Sequence, residues 1–261
     1  MTSASRPIAI LLTAGLLLAA GTALAGPAKR PVVVELYTSQ SCDSCPPADA
    51  LLGRLAQRPG VLAMSFPVTY WDMLGWKDTL ASEANTRRQK SYADTMDRGA
   101  VYTPQMIIDG ISDVVGSREA EVEASIAAHR AEIDAAHDGD DDPAFASVLV
   151  SETPRELHLS VLADKSRNAK PATIWLFHLR GSVTVKIGGG ENDGRTMTYR
   201  NVVADQRSLG QWKGQLLSLV LPRAQFLGLP HDGVAVVVQQ GGYGHVIGAA
   251  YLDHPDYYAE Q

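Results

Sequence analysis

Cysteine is scarce in this sequence: two residues in 261, Cys42 and Cys45. A scaffold stapled by disulfides needs more of them, spread along the chain, so that class is excluded. There is no second cysteine pair, and all seven histidines lie at His129 or beyond, so the four-ligand zinc pattern is missing too. Positive charge is not in excess: 23 Lys and Arg stand against 29 Asp and Glu, a formal net charge of −6. Nucleic acid and anionic membranes select basic faces, so neither is expected as a partner. Beyond the N-terminus there is no long apolar run, no internal repeat and no low-complexity segment.

What is present begins with MTSASRPIAILLTAGLLLAAGTALAG: one Arg, an apolar run over residues 8–18, then small residues. Ala23-Leu24-Ala25 fits a signal-peptidase site, so residues 1–25 are expected to be a signal peptide, with a mature start near Gly26. No cysteine lies near the cut, so no lipid anchor is implied. The mature protein is expected to be periplasmic or secreted, with no stable membrane insertion after signal removal. In such a compartment disulfides persist.

Two parts are expected, residues 26–137 and 144–261, joined by an acidic linker at 138–143. The linker lacks the ligand spacing and distal Glu of a calcium loop. The first part alternates: strand 32–37, a helix from Ala48, strand 61–68, helix 80–96, strands 105–109 and 111–115, then helix 117–136. The second reads as short strands at 146–150, 157–163, 173–179, 182–187, 216–221, 234–239 and 246–252, which suggests a small β-sandwich. The glycine-rich stretch at 188–195 reads as a hairpin turn; no helix follows it, so it is not a phosphate cradle.

The cysteines sit in VVVELYTSQSCDSCPPAD, where the first strand gives way to a helix. A disulfide between residues three apart constrains little unfolded-chain entropy, so stapling explains it poorly and redox chemistry explains it better. A helix N-terminus favours a thiolate, so Cys42 is expected to attack and Cys45 to resolve the mixed disulfide. Tyr70-Trp71-Asp72 and Trp76 follow the second strand; Trp71 and Trp76 are either a wall of the substrate groove or packing under a loop. Glu35 is a charge inside an apolar strand, and burying it is costly unless something pairs or uses it.

This order of elements, the CxxC after the first strand, and Tyr102-Thr103-Pro104-Gln105 before the third resemble the thioredoxin fold. More narrowly, VVVELYTSQSCDSCPPAD, YWDMLGWKD, VYTPQMIIDG and GENDGRTMTYRNVV are similar to a family of secreted thioredoxin-like proteins of unassigned function. The resemblance implies an α/β thioredoxin-like domain followed by a small β-rich, sandwich-like domain. It also implies that Pro104 is a cis-proline facing the cysteines, that Thr103 offers backbone groups to an extended substrate peptide, and that Glu35 matches the buried acid that exchanges a proton with the second cysteine. A salt-bridged or edge-facing Glu35 is the alternative. The sequence departs from thioredoxin in having Ser41 before the first cysteine, Asp43 and Ser44 between the two, and Pro46-Pro47 after them; an acidic neighbour opposes a thiolate.

The expected activity is thiol–disulfide exchange with a protein thiol or disulfide substrate and a redox partner protein, in a direction the sequence does not give. No organic cofactor and no resident metal are implied. Two alternatives stand: a copper(I) carrier using Cys42, Cys45 and a nearby Met, and a partner-binding adaptor with an inert disulfide.

Overall fold

The computed structural model describes residues 29–138, 145–163, 170–222 and 233–253. The signal peptide expected at 1–25 lies outside the described residues, as do residues 139–143 of the linker expected at 138–143, whose Asp138 instead closes a helix. The first part runs β1 (Val32–Thr38), α1 (Pro46–Leu55), β2 (Val61–Pro67), a 3-10 turn (Asp72–Leu74), α2 (Glu83–Thr95), β3 (Gln105–Ile108), β4 (Ser112–Val115) and α3 (Glu119–Asp138). The second runs β5 (Val148–Glu152), β6 (Glu156–Val161), β7 (Ala172–Lys186), β8 (Thr196–Trp212), β9 (Leu217–Pro222), β10 (Gly233–Gln240) and β11 (Val246–Asp253). The class is α/β with a β-rich addition, as the sequence leads one to expect.

Strand order departs from two separate sheets. One eight-stranded mixed sheet runs β11-β10-β7-β8-β2-β1-β3-β4, and a three-stranded sheet runs β5-β6-β9. The join is a parallel pairing of β2 with β8 through Ser65 and Val202. The large sheet curls until the β10–β11 turn meets the β3–β4 turn, where the Val246 N–H donates to the Asp109 carbonyl at 2.9 Å.

Alternation along the strands divides the core. Val32, Val34 and Leu36 of β1 face α1 and α3, with Leu51, Leu52, Val122 and Ile126. Val33 and Tyr37 face the other way, into a core that Phe66, Tyr92 of α2, Phe177, Val203 and Val237 complete. That second core draws on both parts of the chain. A third lies between the small sheet and β7, β10 and β11, with Leu159, Leu219, Ile174, Val236 and Ile247, and this layering is sandwich-like.

Candidate functional site

After the C-terminal end of β1, an interior strand, the chain turns so that Cys45 becomes the N-cap of α1, with Pro46 and Pro47 in the first turn. Proline is tolerated there because first-turn N–H groups lack helical partners. The helix thus starts two residues earlier than its apolar spacing suggests. The Cys45 carbonyl accepts from the N–H groups of Ala48 at 2.9 Å and Asp49 at 3.1 Å. Cys42 and Cys45 form a disulfide with their Cα atoms 5.5 Å apart.

Two features bear on thiol reactivity. The prolines remove two N–H donors from the helix end, so the dipole has few free groups with which to stabilise a Cys42 thiolate. The Ser44 hydroxyl, 3.3 Å from Cys42 Sγ, is the donor at hand. Asp43 beside it, and the Glu191 carboxylate that accepts from the Asp43 N–H at 3.0 Å, are negative and oppose the thiolate.

Both cysteines are 0 % exposed. Their cover comes from the tip of the β7–β8 hairpin, more than 140 residues along the chain. Asn192 Nδ2 donates to the carbonyls of Gln40 at 3.0 Å and Cys42 at 2.7 Å, and the Glu191 N–H donates to the Ser41 carbonyl at 3.3 Å. The glycines make this approach possible. A Cβ on Gly190, whose φ is +71°, would stand 2.6 Å from Ser41 Oγ, and one on Gly188 would stand 2.9 Å from the Trp76 ring.

Trp76 belongs to the support of this loop: its indole N–H donates to Gln40 Oε1 at 2.7 Å, and its ring lies under Gly188. Asp78 holds the same loop by accepting from the Gln40 N–H at 2.8 Å. Trp71 caps the 3-10 turn and packs against the inner core beside Tyr70, 6.5 Å between ring centroids. Pro104 is buried, follows a cis peptide after the half-buried Thr103, and sits at the end of β3 that pairs with the end of β1. It therefore shares the sheet end that carries the cysteines.

Glu35 is a correction. Its side chain points to the α2 side of β1, away from α1 and Cys45. Arg88 of α2 grips it with two bonds of 2.7 Å, and the hydroxyls of Tyr37 and Tyr92 donate at 2.9 and 2.8 Å. The Arg88 guanidinium itself lies 5.0–5.7 Å from the ring centroids of Phe66, Tyr92, Trp175, Phe177 and Tyr243. Burial raises the Tyr37 and Tyr92 hydroxyls well above their ordinary pKa. With four donors committed, Glu35 is an ion-pair member of the core and not the acid that serves Cys45.

A different buried carboxyl belongs to the residue one helical turn after Cys45, whose backbone N–H donates to the Cys45 carbonyl. Asp49 of α1 is buried, and no described group donates to either of its oxygens within 3.5 Å; the Thr38 hydroxyl faces it from further off. Burial pushes its pKa up to about 8; the Thr38 hydroxyl opposes that and the Asp78 charge adds to it. Sequence reasoning passed over it, although an Asp within the buried stripe of α1, four residues after Cys45, is the signal that could have found it.

One further cluster carries no such chemistry. Ser112 Oγ lies 2.8 Å from His129 Nε2, but His129 Nδ1 is 3.8 Å from Asp109, whose two oxygens are held by Arg30. That spacing does not orient the imidazole as a general base. Among the described residues no group of three or more His, Cys, Asp and Glu side chains is placed to hold a metal.

Fold and site together define an α/β protein whose disulfide lies between a strand–helix junction and a hairpin from its β-rich part. The chain belongs to the family described as protein of unknown function (DUF1223), whose model matches residues 33–239. A crystal structure of a protein from Agrobacterium tumefaciens is similar over 87 % of this chain and 96 % of that one, at 30 % identity and a TM-score of 0.73. HBP35 of Porphyromonas gingivalis has a like fold at 12 % identity and a TM-score of 0.59, over 88 % of this chain and 76 % of that one. No curated protein matches the chain.

Proposed function

We propose that this protein is an exported, thioredoxin-like thiol–disulfide exchange protein that acts on protein thiols through Cys42 and Cys45. The observation that carries the reading is the disulfide itself. It spans three residues, too short a loop to stabilise the fold much, yet the Gln40–Cys42 loop, Trp76, Asp78 and the hairpin tip are all arranged around it. Cys42 would be attacked by a partner thiolate and Cys45 would leave. Electrons would come from, or go to, a second dithiol protein. Because Asp43 and Glu191 disfavour a thiolate and the prolines thin out the helix donors, the reduced form gains little stabilisation, which puts the pair toward the reducing end of the exchange proteins.

The complete burial of both sulfurs favours a second reading, an adaptor in which the disulfide is inert. One measurement separates the two. Purified mature protein is equilibrated in graded dithiol buffers and its free thiols are trapped by alkylation. Exchange chemistry gives a potential of about −230 to −270 mV, approached from both directions within the incubation. A potential below about −300 mV with slow exchange leaves the adaptor reading.

A further inference from the structure

Opening the disulfide leaves an electron pair on Cys45, and Cys45 is 0 % exposed. A thiolate formed in so dry a place is strongly disfavoured unless a proton arrives with the electrons. Asp49 is one helical turn further along α1, and residues four apart on a helix stand one above the other on the same face.

We propose that Asp49 is the residue that stores and hands over the Cys45 proton. This rests on the exchange reading above. In the reducing direction a partner thiolate attacks Cys42 Sγ, the S–S bond breaks, and its electron pair goes to Cys45 Sγ, which takes the proton of the Asp49 carboxyl. A second partner thiolate then attacks the mixed disulfide and releases Cys42, which is protonated from solvent. The partner dithiol has become a disulfide, and two electrons and two protons have reached the cysteine pair once Asp49 is reprotonated. Oxidation runs the same steps backwards, with Asp49 accepting the proton.

Geometry supplies both requirements of such a store. The carboxyl is held by no hydrogen bond within 3.5 Å and by no described ion pair; the Thr38 hydroxyl is the donor that faces it, in contrast to Glu35, which Arg88 grips. Both carboxyl oxygens are buried, and the residue lines an open groove of about 470 Å³ between α1 and the β7–β8 hairpin, with Arg54, Gln57, Ser182, Thr184, Thr198 and Arg200, so protons have only a short way to solvent. The groups that face it are the Thr38 hydroxyl from β1, Asp78 from the loop before α2, Tyr199 and Arg200 from β8, and Arg54 on its own helix. Burial above all, with the Asp78 charge adding to it and the Thr38 hydroxyl opposing it, pushes the Asp49 pKa up to about 8, which keeps the proton in place at neutral pH yet available for transfer.

The test follows single-turnover reduction of the Cys42–Cys45 disulfide by dithiothreitol from pH 5 to 10, with alkylation trapping, for the wild type, Asp49→Asn and Asp49→Glu. The expected result is a rate inflection near pH 8 in the wild type beyond that of dithiothreitol itself. Asp49→Asn loses it and slows by roughly a hundredfold at pH 7, and Asp49→Glu restores part of both. Time-resolved infrared difference spectra supply a second readout: the protonated-carboxyl band of the oxidised wild type bleaches transiently as the disulfide opens and returns as Asp49 is reprotonated, and Asp49→Asn lacks the band throughout. A wild type that exchanges with dithiols while Asp49→Asn keeps its rate and pH profile overturns the role of Asp49 alone. A wild type whose disulfide does not exchange overturns the exchange reading and the role together.

Discussion

Two buried carboxyls one sheet layer apart behave in opposite ways because of their partners. Glu35 is answered by Arg88 and by two tyrosine hydroxyls. Removing one member of such a pair leaves the other charge buried, so Glu35→Gln is expected to lower unfolding free energy by about 3–5 kcal/mol in urea titration. Replacing both, as Glu35→Gln with Arg88→Met, recovers most of that loss; a double variant as unstable as the single one would contradict the account. Asp49 has no donor within 3.5 Å and no described ion pair, and its linkage runs the other way. Its folded pKa of about 8 lies above the unfolded carboxyl value, so the folded state holds a proton that the unfolded state has released. Its contribution is full below about pH 4 and is lost, at about 1.4 kcal/mol per pH unit, as pH rises toward 8. Urea midpoints measured between pH 5 and 8 should therefore fall less steeply in Asp49→Asn than in the wild type. The sequence marks Glu35 as an anomaly in an apolar strand, but it does not show that Arg88, on another element, answers it. For Asp49 the one trace is its place in the apolar stripe of α1, four residues after Cys45; the burial that raises its pKa comes from elements distant in sequence.

At the scale of elements, the β7–β8 hairpin is the least legible part. The sequence reads β7 as two short pieces, 173–179 and 182–187, and assigns no strand to 196–212. In the structure β7 is continuous over 15 residues and β8 over 17. The break at Arg180-Gly181 is an interruption of hydrophobicity and not of pairing, and β8 is so rich in half-buried polar residues that it has no clear alternation. The tip reads as an ordinary turn because the loop it covers is distant in sequence. Its grip is local: two Asn192 bonds, one bond each from the Glu191 backbone and side chain, and the close fit of Gly188 and Gly190. Asn192→Ala removes the two side-chain bonds, worth about 2 kcal/mol, and roughly a 30-fold faster reduction of the disulfide by dithiothreitol is expected. Stopped samples alkylated at intervals measure it. An unchanged rate would mean that the hairpin tip is not what closes the site.

For the whole molecule, the sequence divides near the acidic run at 138–143 because composition and periodicity change there, and periodicity is a local property. Pairing between distant strands leaves no such trace. β2 pairs with β8, and the inner core joins Val33, Met64 and Phe66 to Phe177, Val203 and Val237. Arg88 takes three of its aromatic neighbours, Trp175, Phe177 and Tyr243, from the second part, and Gln239 accepts from it at 3.0 Å. The segment 26–137 expressed alone would therefore expose the β2 edge and half of that core, with the Glu35–Arg88 pair opened to water on one side. It is expected to lack a cooperative urea transition, while the full mature chain unfolds in one transition by both tryptophan fluorescence and circular dichroism. The same logic ties the disulfide to the whole: its cover is delivered by a hairpin whose strands also form the shared sheet, so redox access and global folding depend on one set of contacts. A 26–137 fragment that unfolds cooperatively and keeps its cysteines protected from alkylation would show instead that the first part closes its own site.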